Sequence, residues 1–170
     1  VRILRIAAAA TEGTLLDPGE TFSFWRVLGR PTRAKGYVLG RELRQGCMIP
    51  TIAGGICQLS RALSRVTEGG GMDIVERHPH TAAPPEAALD DPADSTVFWN
   101  YVDLRFISDF DFRIDVELTS DELVVRLRAA GASHPLALLP RVTVVPVHTD
   151  KPGRPVARGC LTCEETSCFR

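Results

Sequence analysis

No stretch of the chain approaches the roughly 18 uninterrupted apolar residues that a bilayer-spanning helix needs, so no membrane span is expected. An excess of charge of either sign is also missing. Across 170 residues, 20 Lys and Arg stand against 21 Asp and Glu, a formal net charge of −1. Phosphate binding needs a basic excess or a basic stripe, so general nucleic-acid binding is excluded. There is no internal repeat and no compositional bias. The chain is 44% hydrophobic and 24% charged, as a globular domain is, which excludes disorder and collagen-like structure. It begins at Val1, without an initiator Met or a secretory signal, as expected of a processed protein or a piece of a longer one. An even number of cysteines is lacking as well. The five are Cys47, Cys57, Cys160, Cys163 and Cys168, so full pairing still leaves one thiol that is free, reactive or metal-bound.

What is present reads as an α+β domain. Residues 1–12 have helical spacing, with Val1, Leu4, Ala7 and Ala8 apolar and Gly13 as the stop. Asp17-Pro18-Gly19 predicts a turn into a short strand carrying Phe22 and Phe24 on one face. Residues 26–36 are basic and turn-rich and read as a solvated loop. The segment YVLGRELRQ reads as a strand with a glycine bend, and residues 46–56 as a loop ending in Gly54-Gly55. From Cys57 a helix is predicted, with Leu59, Leu63 and Val66 on its apolar face and Gly69-Gly70-Gly71 ending it. The period then changes to two. MDIVERHPH, DSTVFWNYVDLRF, FRIDVEL and LVVRLRA are strand candidates, the last two forming a hairpin about Thr119–Glu122. Residues 79–93 read as a long surface loop. LALLPRVTVVPV reads as an edge strand because prolines interrupt it. Early helices and a late antiparallel sheet make the fold class α+β. The helix-opening cysteine packs on a mainly antiparallel sheet, in an arrangement akin to papain and transglutaminase.

The most specific segment is Ala53-Gly54-Gly55-Ile56-Cys57-Gln58-Leu59-Ser60. A cysteine that opens a helix meets the positive end of the helix dipole, which favours thiolate over thiol and makes an attacking group. Gly54 and Gly55 let a substrate backbone approach closely. The Cys57 amide is a candidate oxyanion donor, with Gln58 beside it. The plain alternative is a small buried residue at a helix start. A base is then needed. Glu76, His78 and His80 alternate along the next strand, which puts both imidazoles on one face. Asp94 and Asp103, on the following strands, are candidates to orient the ring. Glu-x-His-x-His also suits a shared metal ion.

With these residues set out, the sequence resembles the VanW family, named for a protein encoded in some vancomycin-resistance clusters. PGETFSFW, the GY of AKGYVLG, AGGICQLS, IVERHPHT and DSTVFWNYVDLRF carry the resemblance, in family order over about residues 1–130. It implies a bacterial cell-wall role. Some members are implicated in L,D-transpeptidation of peptidoglycan with a catalytic cysteine, which here matches Cys57. His78 and His80 match the family's His-x-His, and Asp94 and Asp103 its acidic positions. The resemblance implies a peptide-like or peptidoglycan-derived substrate, a cell-envelope location and no required cofactor. Two departures stand out. Many members have a third glycine where this sequence has Ala53, and a Thr or Asn and a Tyr after the serine, where this sequence has Arg61-Ala62-Leu63.

The C-terminal segment carries a separate reading. Residues 1–148 are taken as the VanW-like domain and 149–170 as a cysteine-rich tail packed on or near it. Cys160-x-x-Cys163 places two sulfurs on one metal, Cys168 supplies a third, and Cys47 is the candidate fourth ligand for zinc or an iron–sulfur cluster. A disulfide within the tail and free thiols are the alternatives. A metal-bound tail fits the cytoplasm better than the envelope and points to small-molecule biosynthesis. A non-catalytic envelope module that holds peptidoglycan stems is the third reading. The sequence leaves the oligomeric state open.

Overall fold

The computed structural model describes residues 1–44, 47–68, 72–80, 92–129 and 141–146. Cys160, Cys163 and Cys168, and with them the whole tail, lie outside the described residues, as does the side group of Cys47. The metal and disulfide readings of the tail therefore concern residues outside those described.

Among the described residues, three helices and nine strands follow one another. Helix α1 spans Arg2–Thr11, strand β1 Thr14–Leu16, strand β2 Thr21–Ser23 and helix α2 Phe24–Leu28. A 3-10 turn at Arg33–Lys35 leads to β3 (Leu39–Arg44) and β4 (Cys47–Ile52), and then to helix α3 (Cys57–Glu68). The remaining strands are β5 (Asp73–Glu76), β6 (Arg105–Ile107), β7 (Phe112–Leu118), β8 (Glu122–Ala129) and β9 (Arg141–Pro146). They form a four-stranded sheet in the order β1-β7-β8-β9, a three-stranded sheet β2-β6-β5 and the ribbon β3-β4. Each of these pairings is antiparallel, and the fold is α+β.

Helix α3 forms because its apolar residues recur at helical spacing. Leu59, Ala62, Leu63 and Val66 are all buried, one stripe at i, i+3, i+4 and i+7. That stripe packs on β8, β9 and β5 and meets α1. Helix α1 buries Ile3, Leu4, Ala7 and Ala8 against β7, α2 and α3. The carboxylate of Glu12 then accepts the Val116 amide of β7. Between the layers Phe22 stacks on Phe106 at 4.5 Å between ring centroids. Phe22, Phe24, Phe106 and Phe112 are fully buried, and each such ring stabilises by about 1.5–3 kcal/mol relative to exposure. The first strands thus pair with late ones, β1 with β7 and β2 with β6. The early helices are closed into the sheets rather than set apart from them.

Several expectations need correction. Phe24 does not share a strand face with Phe22; it opens α2. Ser23 accepts the Arg26 amide at 3.1 Å, an N-cap that outweighs the strand propensity of the aromatics. The supposed loop over 26–36 holds most of α2 and the 3-10 turn, which is itself capped by Thr32. The supposed loop over 46–56 holds β4, paired with β3 from Arg44↔Cys47 to Leu39↔Ile52. Its proline, Pro50, is tolerated because a two-stranded ribbon consists of edges. DSTVFWNYVDLRF is not one strand. It makes a bridge at His78↔Thr96, reverses in a tight turn at Phe98↔Val102 and only then enters β6. Asn100 sits in that turn at φ 68°, a backbone region that Asn tolerates better than most residues.

The elbow before α3 is built on two successive turns. The Gly54 amide bonds to Thr51 O at 3.1 Å and the Ile56 amide to Ala53 O at 3.1 Å. The third residue of each turn, Ala53 and then Gly55, has φ of 65° and 88° respectively. Gly54 is required for another reason. A Cβ there would lie 2.4 Å from the carbonyl carbon and oxygen of Gly40, so the ribbon and the elbow touch backbone to backbone. Gly54→Ala should destabilise the domain by about 3 kcal/mol or more, because backbone has no rotamer by which to step aside. Gly19→Ala is the matched control. It has φ +79° with nothing within 4 Å, so it should cost only the left-handed penalty of about 1–2 kcal/mol. Urea denaturation of both variants measures the difference.

Candidate active site

The elbow delivers Cys57 as the first residue of α3, a half-buried free thiol packed against the core. As a first-turn residue its amide has no acceptor within the helix. The helix is fixed to the opposite wall of the site by Ser60, whose hydroxyl donates to Ser95 O at 2.7 Å and also lies 3.1 Å from Cys57 O. That wall is residues 94–97. Ser95 and Val97 are buried in it, while Asp94 and Thr96 alternate with them and are half-buried. Thr96 Oγ1 lies 3.5 Å from Cys57 Sγ. The neutral thiol donates to Val97 O at 3.7 Å.

His80 completes the group. Its Nδ1 lies 2.9 and 3.1 Å from the two carboxylate oxygens of Asp94. Its backbone N–H donates to the same carboxylate at 2.7 Å. The ring stands close enough to Cys57 for each group to shift the ionisation of the other. Since Asp94 occupies Nδ1, Nε2 is the nitrogen left for sulfur, which sets the tautomer of the neutral ring. Burial alone would push the thiol up, but hydrogen bonds with His80, the Val97 backbone and Thr96, together with the imidazolium charge, bring it below its ordinary value. His80 is pushed up to about 9, chiefly by its bond to Cys57, against burial, with Asp94 adding to the rise.

The two histidines do not share a role. His78 is exposed, with Nε2 3.5 Å from Glu76 Oε1, and its carbonyl oxygen accepts the Thr96 amide at 2.8 Å. Strand β5 ends at Glu76 with a register shift. Glu76 and His78 still meet on one side, as alternation expects, but the amide and ring of His80 both turn to Asp94, so the two imidazoles part. The metal reading of Glu-x-His-x-His loses its geometry for the same reason, and among the described residues no group of three metal-ligand side chains converges. Asp103 is engaged elsewhere. Its carboxylate accepts from Ser23 Oγ at 2.5 Å, from the Trp25 amide at 3.1 Å and from the Leu104 amide at 2.9 Å. It ties the start of α2 to the segment before β6 rather than orienting a catalytic ring. Gly54 and Gly55 shape the elbow, and Gln58 Nε2 reaches back to Gly55 O at 3.5 Å. Sequence reasoning misses Thr96, Ser60 and Ser95. Their signal is the two-residue alternation of DSTV, which puts Thr96 on the same side as Asp94. A cavity of about 500 Å³ lies on the charged outer face of β7 and β8, bordered by Glu12, Arg113, Asp115 and Arg128. None of Cys57, His80, Asp94 and Thr96 borders it, and its carboxylates and guanidiniums are already matched in ion pairs.

Residues 1–128 match the family described as "VanW like protein". The chain belongs to the VanW-like family. Among its relatives, uncharacterized protein YoaR of Bacillus subtilis (strain 168) is 34% identical over 108 residues, covering 64% of this chain and 35% of YoaR. Vancomycin B-type resistance protein VanW of Enterococcus faecalis (strain ATCC 700802 / V583) is 30% identical over 138 residues, covering 79% of this chain and 50% of VanW. The matched region thus spans half or less of the length of these two relatives. No solved structure matches it. In the elbow, Ala53 takes up a left-handed φ of 65°. The backbone keeps the turn, and the alanine bears a strain of about 1–2 kcal/mol.

The two shifts carry opposite pH signs. His80 is raised, so its contribution to stability is complete below the free-imidazole value of about 6.5 and is lost as pH rises through about 9. Cys57 is lowered, so its contribution is present above the ordinary thiol value and is lost as pH falls through its own lowered one. An NMR titration of the His80 ring should give a midpoint near 9. In Cys57→Ala that midpoint should fall, because the bond to sulfur is the largest cause of the rise; an unchanged midpoint would place the cause elsewhere.

Proposed function

We propose that this VanW-like domain is a cysteine acyltransferase or amidohydrolase of L,D-transpeptidase type, acting on a peptide-like substrate derived from peptidoglycan. The observation that carries the reading is the sequence of contacts Asp94–His80–Cys57, in which one carboxylate grips both the ring and the backbone of the histidine that faces the thiol. In the reaction His80 holds the thiol proton and Cys57 Sγ attacks a peptide carbonyl. Negative charge develops on the carbonyl oxygen, where the Cys57 amide at the head of α3 is the candidate donor. The tetrahedral adduct collapses to a thioester as His80 gives its proton to the departing amine. An amine acceptor, or water, then attacks the thioester, gives up a proton to His80 and releases the thiol. Asp94 stays ionised throughout and keeps the ring in one orientation. The chemistry needs no metal.

Two further points support the reading. The helix-opening cysteine, followed in sequence by a histidine and then its carboxylate partner, parallels the layout of papain-like sites. The name of the enterococcal relative, a vancomycin B-type resistance protein, directs attention to cell-wall peptides and so to action in the cell envelope.

Incubation with stem-type peptides, followed by intact-mass spectrometry, should trap an acyl group on Cys57, and iodoacetamide should label that residue faster than a model thiol. Cys57→Ala should abolish turnover with the fold retained. His80→Asn should lower turnover by about 10²–10⁴-fold, the usual contribution of a positioned base. Full activity in Cys57→Ala would sink the acyl-enzyme mechanism.

A further inference from the structure

Thr96 is the polar residue on the wall opposite α3 that meets the sulfur directly, with Oγ1 3.5 Å from Cys57 Sγ. Its placement is fixed independently of its hydroxyl. The Thr96 amide is held by His78 O at 2.8 Å, and the preceding carbonyl, Ser95 O, is held by Ser60 of α3 at 2.7 Å. Asp94 and Thr96 sit two residues apart on one extended segment and so face the same way. One reaches the sulfur through His80 and the other touches it. Also beside the sulfur stands Val97 O, 3.7 Å away. A carbonyl oxygen accepts a hydrogen bond from a neutral thiol, but it faces a thiolate as one partial negative charge faces a full one. Once His80 takes the proton, the bond to Val97 O has no hydrogen left to hold it. Of these two oxygens beside the sulfur, only the Thr96 hydroxyl can turn and donate.

We infer that Thr96 is a positioning residue for the nucleophile: its hydroxyl accepts from, or idles beside, the neutral thiol, and donates to the sulfur once the proton has moved to His80. The inference rests on the proposed cysteine nucleophile and adds to it a switchable donor that compensates the Val97 carbonyl. It also gives the 94–97 segment two functions at alternate positions, ring orientation at Asp94 and thiolate support at Thr96. The charged group acting on the sulfur is His80, with Asp94 behind it; among the described residues no other titratable group contributes to the shift of the thiol. A change in the ionisation of Cys57 on altering Thr96 is therefore attributable to the hydroxyl, provided His80 stays in place.

The test is the rate of iodoacetamide alkylation of Cys57 as a function of pH in the whole protein, compared for the unaltered form, Thr96→Val and Thr96→Ser. Thr96→Val is close in shape and keeps the backbone bonds, and far-UV circular dichroism with thermal unfolding checks that it folds. It should move the midpoint of the profile upward by about one unit, so that alkylation at pH values below the midpoint slows about tenfold. The plateau at high pH, where every thiol is ionised, should change little. Thr96→Ser should restore most of the low-pH rate, and Thr96→Ala, which also lacks the hydroxyl, gives the comparison if Thr96→Val does not fold. Coincident midpoints for Val, Ser and the unaltered protein would overturn the inference. A fall in the plateau without a shift in the midpoint would do the same, since it signals a purely structural role. The unaltered profile tests the underlying reading separately. A midpoint at or above the ordinary thiol value of about 8.5 would count against an activated nucleophile, whether or not Thr96→Val moved it further.

Discussion

The backbone contact between Gly40 and Gly54 sets the geometry on which the candidate site depends. It lets the β3–β4 ribbon lie directly against the elbow, and the elbow decides where α3 begins. With the helix start fixed, Cys57 falls on the first turn, Ser60 one turn later reaches Ser95, and the wall at 94–97 is brought within bonding distance of the sulfur. A Cβ at either glycine would push ribbon and elbow apart, and the thiol would move with them. The core helps from behind. The apolar stripe of α3 packs on β8, β9 and β5, so the helix resists sliding along its axis while the elbow positions its head.

Within that frame the electrostatics are arranged around a single proton. Burial opposes charge on both sulfur and ring, and each would be neutral if it stood alone. Together they support a charge-separated state, because the ring that receives the proton is already held by a carboxylate on its other side. The arrangement separates duties between the two imidazoles of one short motif. His80 faces inward to the thiol, and His78 stays at the surface while its backbone bridges to Thr96.

Much of the scaffold is legible in the sequence because it follows simple periods. The bounds of α1 and α3 and the hairpin β7–β8 are set by apolar spacing and glycine stops, and the structure reproduces them to within a residue or two. Cys57 stands out for the same reason, since a cysteine after two glycines and before a helical stripe has few other readings. What escapes depends on contacts distant in sequence. Strand β4 is hidden by Pro50, whose local preference for turns is overridden by pairing with β3. Helix α2 is hidden by its aromatics, and its capping serine is reinforced by Asp103, 80 residues away. The choice between Asp94 and Asp103, and between His78 and His80, rests on long-range partners, Asp94 with His80 and Asp103 with Ser23 and Trp25, that alternation alone does not reveal. The tail cysteines fall outside the described residues, and their chemistry stands as the sequence leaves it.

The grip of Asp94 on His80 has a consequence for how such a domain can diversify. The two residues are fourteen positions apart, so the carboxylate is also a clasp between points distant along the chain. The free energy of closing a loop grows only logarithmically with its length, by about 0.6 kcal/mol for each doubling. Residues can therefore be added or removed between base and carboxylate while the clasp itself keeps its geometry.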